Sequence, residues 1–282
     1  MSDSTILAIG DPGRAPVEIG PGAPTFHPDS ADHELTECAV PGAQVRAASV
    51  RGLMHRYQRQ PRQDRFSVVY DDASRTLVIA VCDGVSQFEL SHEAAAFVAA
   101  DTPRAYLNHR GWLPAVAEVN ERLTRFADEA ALRPRLLALL ADSRMATTLA
   151  AVAIRLDGER PVASMAWTDD TSVWYLVDGG WELLTQPPDQ QDNGGLHSSR
   201  VRALPHPDPR VSVTERELAG GALFITTDGV GQPLRDARQV QETLAQWWAT
   251  PPDIFTFARQ VAFARKAHVD DRTVVGVWFD QQ

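Results

Sequence analysis

Four aspartates stand where an apolar strand ends or begins, and together they are the right chemistry for hard divalent cations. Asp83 closes the run Leu77-Val78-Ile79-Ala80-Val81-Cys82 and is followed by Gly84-Val85. Asp228 closes Ala222-Leu223-Phe224-Ile225-Thr226-Thr227 and is followed by Gly229-Val230. Asp170 precedes the strand-like stretch Ser172 to Val177, and Asp270, with Asp271 beside it, precedes Thr273-Val274-Val275-Gly276-Val277. Taken singly, Asp-Gly after a strand is a turn signal, and Asp-Asp before one is a solvated pair. The doubled strand-Asp-Gly unit changes the weighing, because an oxygen-only site for Mg2+ or Mn2+ needs several carboxylates brought together on rigid backbone. Gly84, having no Cβ, lets a ligand approach the main chain.

A second cluster is basic. Arg51, Arg56, Arg59 and Arg62 fall in or beside the polar stretch Gly52 to Asp64, with His55 among them. Such a cluster is either a solvated loop or an anion cradle in which guanidinium forks grip phosphate. Spacing alone favours the solvated loop.

The elements that must position these groups follow from hydrophobic period and turn residues. The unbroken apolar runs ending at Asp83 and Asp228 predict strands buried on both faces. Further strands are predicted near Gln44 to Val50, Phe66 to Tyr70, Thr147 to Ile154, Val162 to Trp167, Ser172 to Val177, Trp181 to Leu184, Val211 to Glu217 and Thr273 to Phe279, with Asp157-Gly158 and Asp178-Gly179-Gly180 as hairpin turns. Helices are predicted from His92, with Ser91 as its cap, from about Pro114 to Ala131, over an apolar face at Leu136 to Leu140, and at Val240 to Trp248 and Ile254 to Ala267. Gln186 to Pro209 is a long irregular segment, a length that usually carries function. Residues 1–44, rich in Pro, Gly, Asp and Ser, read as an extended or partly disordered leader with one short strand; residues 45–282 read as one domain.

Composition narrows the class. At 282 residues with 44% hydrophobic and 23% charged, the chain can bury a substantial core. A formal net charge of −10 argues against nonspecific nucleic-acid binding. No apolar block is long enough to span a bilayer, and Met1-Ser2-Asp3-Ser4 opens no signal peptide, so a cytoplasmic protein without membrane partners is expected. The two cysteines, Cys38 and Cys82, offer no zinc spacing, and Cys82 reads as a buried thiol inside its strand.

The motifs, taken in order, resemble those of the PP2C-type (PPM) metal-dependent protein serine/threonine phosphatases, in particular their bacterial branch. Gly52-Leu53-Met54-His55 with Arg59-Gln60-Pro61-Arg62-Gln63-Asp64-Arg65-Phe66 is similar to the first motif. Cys82-Asp83-Gly84-Val85-Ser86 with Ser91-His92-Glu93-Ala94-Ala95 is similar to the second, and Ala146-Thr147-Thr148-Leu149 to the third. Thr226-Thr227-Asp228-Gly229-Val230 and Asp270-Asp271-Arg272-Thr273-Val274-Val275 are similar to the last two. The resemblance implies an α+β fold, a four-layer α-β-β-α sandwich of two antiparallel sheets flanked by helices. It implies two Mn2+ or Mg2+ ions, roughly 3.5–4 Å apart, that activate a water for in-line attack on phosphorus. Asp83 would bridge the ions, the Gly84 carbonyl would bind one, and Asp228 and Asp270 the other. Asp64 resembles the acid that supports the site through water or an indirect contact. Arg59 fits the phosphate-binding arginine, with Arg56 and Arg62 as rivals.

Two departures matter. The family's Gly-Asp-Ser, whose Asp can bind a third ion, is here Asp169-Asp170-Thr171, which puts Asp170 on the ligand position and Asp169 on the Gly. Eukaryotic relatives carry a His after the Asp-Gly, where this chain has Val85, so the leaving-group acid is unassigned, with His55 and His92 as candidates. The implied partners are a phosphorylated protein substrate and a cognate Ser/Thr kinase. Two alternatives stand beside the phosphatase: a catalytically weak or inactive module of the same fold that binds phosphoproteins or kinases, and an unrelated α/β protein whose Asp-Gly pairs are only turns.

Overall fold

The computed structural model describes residues 7–18, 31–132, 145–185 and 202–280. The expected apolar helix face at Leu136 to Leu140, part of the leader and most of the irregular segment after Gln186 lie outside the described residues.

Eleven strands are found among the described residues: β1 (His33–Val40), β2 (Ala43–Val50), β3 (Arg65–Asp71), β4 (Thr76–Gly84), β5 (Thr147–Arg155), β6 (Val162–Trp167), β7 (Ser172–Val177), β8 (Gly180–Leu183), β9 (Ser212–Glu217), β10 (Ala222–Thr226) and β11 (Arg272–Phe279). They form two antiparallel sheets, one ordered β1-β2-β11-β10-β7-β8 and the other β3-β4-β5-β6-β9. The helices are α1 (Ala15–Glu18), α2 (Leu53–Gln58), α3 (Ser91–His109), α4 (Trp112–Leu132), α5 (Asp228–Asp236), α6 (Arg238–Trp247) and α7 (Ile254–Val261).

The period of two in β4 sorts its side chains between two cores. Leu77, Ile79 and Val81 face the space between the sheets, where they meet Val275, Ile225 and Leu223. Val78, Ala80 and Cys82 face outward into a second core with Ala94, Ala95, Val98, Val116 and Leu123 of α3 and α4. On the far side, Phe224 and Trp278 of the six-stranded sheet pack with Leu234, Leu244, Trp248 and Phe257 from α5 to α7. The layers therefore run helix, sheet, sheet, helix, the α+β sandwich expected.

Three local outcomes differ from expectation. Ser91 does not cap α3; Leu90 holds that position, and Ser91 Oγ donates to the Val85 and Phe88 carbonyls at 2.6 and 2.9 Å. The hydroxyl satisfies the loop leaving β4 and ties it to the helix start. Within the stretch read as a polar loop, α2 forms and is stopped by Arg59 in the left-handed conformation (φ 58°).

The third is α5, which Gly229, Gly231 and Pro233 hide from a propensity reading. A Cβ on Gly229 would lie 1.9 Å from the Asp271 carbonyl oxygen, and one on Gly231 2.5 Å from Ser172 Oγ. The glycines let the helix press against the ends of β7 and β11. Pro233 cannot donate to the Gly229 carbonyl one turn earlier, and that carbonyl instead accepts from Arg272 Nε at 3.1 Å.

At the N-terminal side, β1 lies in the stretch read as a leader and pairs with β2 along its whole length. Ile9 is buried, and its N–H donates to the Ala264 carbonyl at 3.1 Å.

Candidate active site

Sheet register gathers the acids. β10 is flanked by β7 and β11, both antiparallel to it, with Thr226 opposite Ser172 and Val274. The end of β10 therefore lies beside the beginnings of β7 and β11, and Asp228, Asp170 and Asp270 come to one edge. Asp83 arrives from the other sheet, near enough to Asp228 for the two carboxyls to act on each other. The charges of Asp64, Asp228, Asp170 and Asp270 all act on Asp83. Asp83 is held in place by β5, with Thr148 directly opposite and Thr147 Oγ1 donating to its carbonyl at 2.8 Å.

Crowding shows in the proton affinities. Burial, then Asp64 and Asp228, holds Asp83 well above the ordinary carboxylate range. Asp228 is pushed up to about 7 by burial, then by Asp270 and Asp170, despite the Gly229 N–H and its place in the first turn of α5, which favours a carboxylate. Asp270 is raised by burial and Asp271. Asp170, exposed at the rim, is raised by desolvation and Asp169, against the pull of Arg235. A set of acids that raise one another in this way is short of positive charge, and its donors are all oxygen, as Mg2+ or Mn2+ requires.

Beneath this cluster lies a second, buried network. Asp64 is 1% exposed, and its Oδ2 accepts from Thr227 Oγ1 and Thr273 Oγ1 at 2.8 Å each. Asp271 is 2% exposed: its Oδ1 accepts from the Gly52 N–H and its Oδ2 from the Gln63 N–H, both at 2.6 Å. His55 Nδ1 is 2.8 Å from Asp271 Oδ1. Burial alone would lower His55, but the bond to Asp271 outweighs it and raises the imidazole. Burial alone would raise Asp271, and its bonds to His55, Gly52 and Gln63 outweigh that and lower it.

This network separates the two neighbouring aspartates. Both oxygens of Asp271 are spent on the protein, whereas the Asp270 side chain is 45% exposed. His55, Asp270 and Asp271 do bring ligand atoms within 4.8 Å of one another, but with Asp271 committed the group is better described as an internal clasp from α2 to β11.

The remaining expected residues are placed as follows. Gly84 is buried at the exit of β4, and the neighbour that forbids a Cβ there is protein: Ser91 Cβ at 2.9 Å and Gln63 Cβ at 3.0 Å. Arg59 is exposed at the end of α2. Arg62 is buried and ion-paired with Glu34, and Arg51 pairs with Asp32 at 3.1 Å. Asp169, in the Gly position, accepts the Arg202 N–H at 2.6 Å and so pins the chain returning from the irregular segment. Arg235, Thr227 and Thr273 were not anticipated. The threonines did carry a signal, since each stands next to or near an acid in the last two motifs.

A family profile described as Protein phosphatase 2C matches residues 51–254. The chain belongs to the protein phosphatase 2C family. Among solved structures, this phosphatase 2C chain is similar to one described as a bacterial serine phosphatase (14% identity, TM-score 0.61, covering 84% of this chain and 98% of that one). It is similar to the serine/threonine phosphatase PstP/Ppp of Mycobacterium tuberculosis (20% identity, TM-score 0.57, 85% and 100%). It is also similar to the PstP catalytic domain in complex with two manganese ions (22% identity, TM-score 0.59, 85% and 99%). At these identities the likeness establishes the fold. No curated protein sequence matches this one. Among the described residues, no helix of this family member is long and apolar enough to cross a membrane.

The raised carboxylates give the metal-free phosphatase 2C chain a pH signature. Asp228 moves from an ordinary 3.8 to about 7 on folding, so the folded state holds its proton more tightly. That contribution to stability is complete below about pH 4 and lost as pH rises through about 7. The raised His55 acts in the same direction. In EDTA the melting temperature is expected to fall between about pH 5 and 8, and Asp228→Asn to flatten the fall. A calorimetric profile that climbs over that interval contradicts the crowding.

Proposed function

We propose that this chain hydrolyses phosphoserine and phosphothreonine in protein substrates, dependent on Mn2+ or Mg2+, in the cytoplasm. One observation carries the reading: Asp83 and Asp228, more than half the domain apart in sequence and delivered by opposite sheets, come close enough for each to raise or hold the other's proton, with further acids around them. Asp83 would serve both ions, Gly84 through its carbonyl one of them, and Asp228 and Asp270 the other, with Asp170 available to a third. When bound, the ions would supply positive charge for the phosphoryl oxygens and a water acidic enough to attack at neutral pH. The protein's own part is positioning. β4, β10 and β11 aim the carboxylates, and Asp64, fixed by two threonine hydroxyls, supports them from below. Arg59, exposed at the end of α2, would meet the phosphate, its planar guanidinium matching the phosphoryl oxygens. A cognate Ser/Thr kinase is the expected source of the substrate.

A second reading, a weak or inactive phosphoprotein-binding module, is favoured by the Asp169 anchor where the family has Gly and by Val85 where eukaryotic relatives have His. The test is release of phosphate from a phosphothreonine peptide. Turnover with Mn2+ that stops in EDTA supports the phosphatase. Binding of the peptide with no turnover at saturating Mn2+ supports the module and ends the first reading.

A further inference from the structure

A cavity of about 420 Å³ opens between the N-terminal segment at Pro12 and Pro16, the start of α2, and the chain that leads from α7 into β11. Arg51, Arg56, Arg265 and Arg272 all line it, against a single carboxylate, Asp270. Neither Asp83, Gly84, Asp228 nor Asp170 reaches it, so it lies behind the acid cluster and shares only the Asp270 wall.

The charge balance inside the cavity is unusual for an acidic protein. Arg51 is paired with Asp32. The other three guanidiniums form no ion pair with a described carboxylate: Arg265 Nη1 donates to the Ile9 carbonyl at 3.1 Å, and Arg272 donates to the Gly229 and His268 carbonyls and lies over the Phe263 ring. Arg56 goes further, since its Nε is buried with no hydrogen-bond partner. His33, on the same wall, is held below its ordinary value by burial and then by the Arg56 charge. Buried cations and unsatisfied donors are costly unless an anion meets them. Asp270 acts on Arg272 and Asp11 on Arg265 from a distance, while neutral carbonyls and an aromatic face satisfy the direct contacts, so no described carboxylate is ion-paired with either guanidinium.

We infer that this cavity is a binding site for a phosphate-bearing small molecule, separate from the acid cluster. Guanidinium forks match phosphate oxygens. The volume lies in the range of small-molecule sites, and the prolines, Leu53 and Val269 offer apolar wall to an organic body. The inference does not rest on the phosphatase reading and is tested without metal.

Isothermal titration of the full chain in EDTA with inorganic pyrophosphate and with ADP is expected to show saturable binding. Arg56→Gln and Arg265→Gln should each weaken it roughly tenfold or more, while Asp83→Asn should keep it. Folding of each variant is checked by its melting curve. For the unaltered protein, mass spectrometry after phenylglyoxal treatment should show Arg56 and Arg265 protected by ADP. Absence of saturable binding, equal affinity in the folded arginine variants, loss in Asp83→Asn, binding of citrate but of neither phosphate compound, or no protection at Arg56 and Arg265 would each overturn the site.

Discussion

Asp83→Asn is expected to lower hydrolysis of a phosphothreonine peptide by about 10³-fold, the scale on which loss of a principal electrostatic group lowers a rate. The amide has nearly the shape of the carboxylate, so β4, its register with Thr148 and its carbonyl bond from Thr147 should persist. What would disappear is the charge that Asp83 is proposed to share between cations. The same change removes one member of a crowded acidic set, so the metal-free protein should melt at a higher temperature than the unaltered one while gaining less from added Mn2+. This opposite movement of stability and activity separates loss of function from loss of fold. A variant that retains the parent rate with Mn2+ would remove Asp83 from the chemistry.

Asp271→Asn should act in the other direction, as a change to the frame. Asp271 accepts N–H groups from Gly52 and Gln63 and faces His55, so three segments are tied to β11 through one buried carboxylate. An amide offers one accepting oxygen, and its NH2 would confront an N–H that it cannot accept from. Breaking a buried charged pair costs about 3–5 kcal/mol, a large part of the roughly 5–15 kcal/mol that a domain has. Urea unfolding measures it. Asp270→Asn, at a half-open side chain, should shift the unfolding midpoint little and the metal-dependent rate greatly. If the two substitutions exchanged effects, the assignment of ligand and anchor would be reversed.

Much of the frame was legible because burial on both faces leaves a plain mark in sequence. Leu77 to Cys82 before Asp83 and Ala222 to Ile225 before Asp228 are apolar at successive positions, since alternate residues enter different cores. Turn chemistry set the hairpin at Asp178-Gly179, both of which adopt positive φ. Helix α5 was not legible: its glycines and proline are answers to the Asp271 carbonyl, Ser172 and Arg272, none of which is local. For the same reason the basic stretch could not be divided in advance. Arg51 and Arg62 found acids at Asp32 and Glu34, whereas Arg56 turned toward a cavity built partly by residues from the other end of the chain.

The amino-acid sequence by itself determined the family motifs and the strand ends at which the acids stand, and the resemblance those motifs carry pointed to Asp270 as the candidate ligand. These are properties of short stretches, in which residue type and period act on the nearest backbone. Only the tertiary structure decided that Asp83 and Asp228 come within reach of each other, that Asp271 is consumed by backbone N–H groups, and that four guanidiniums line a cavity behind the acids. Contact and charge compensation depend on which distant segments the sheets bring together, and no window of sequence contains both partners.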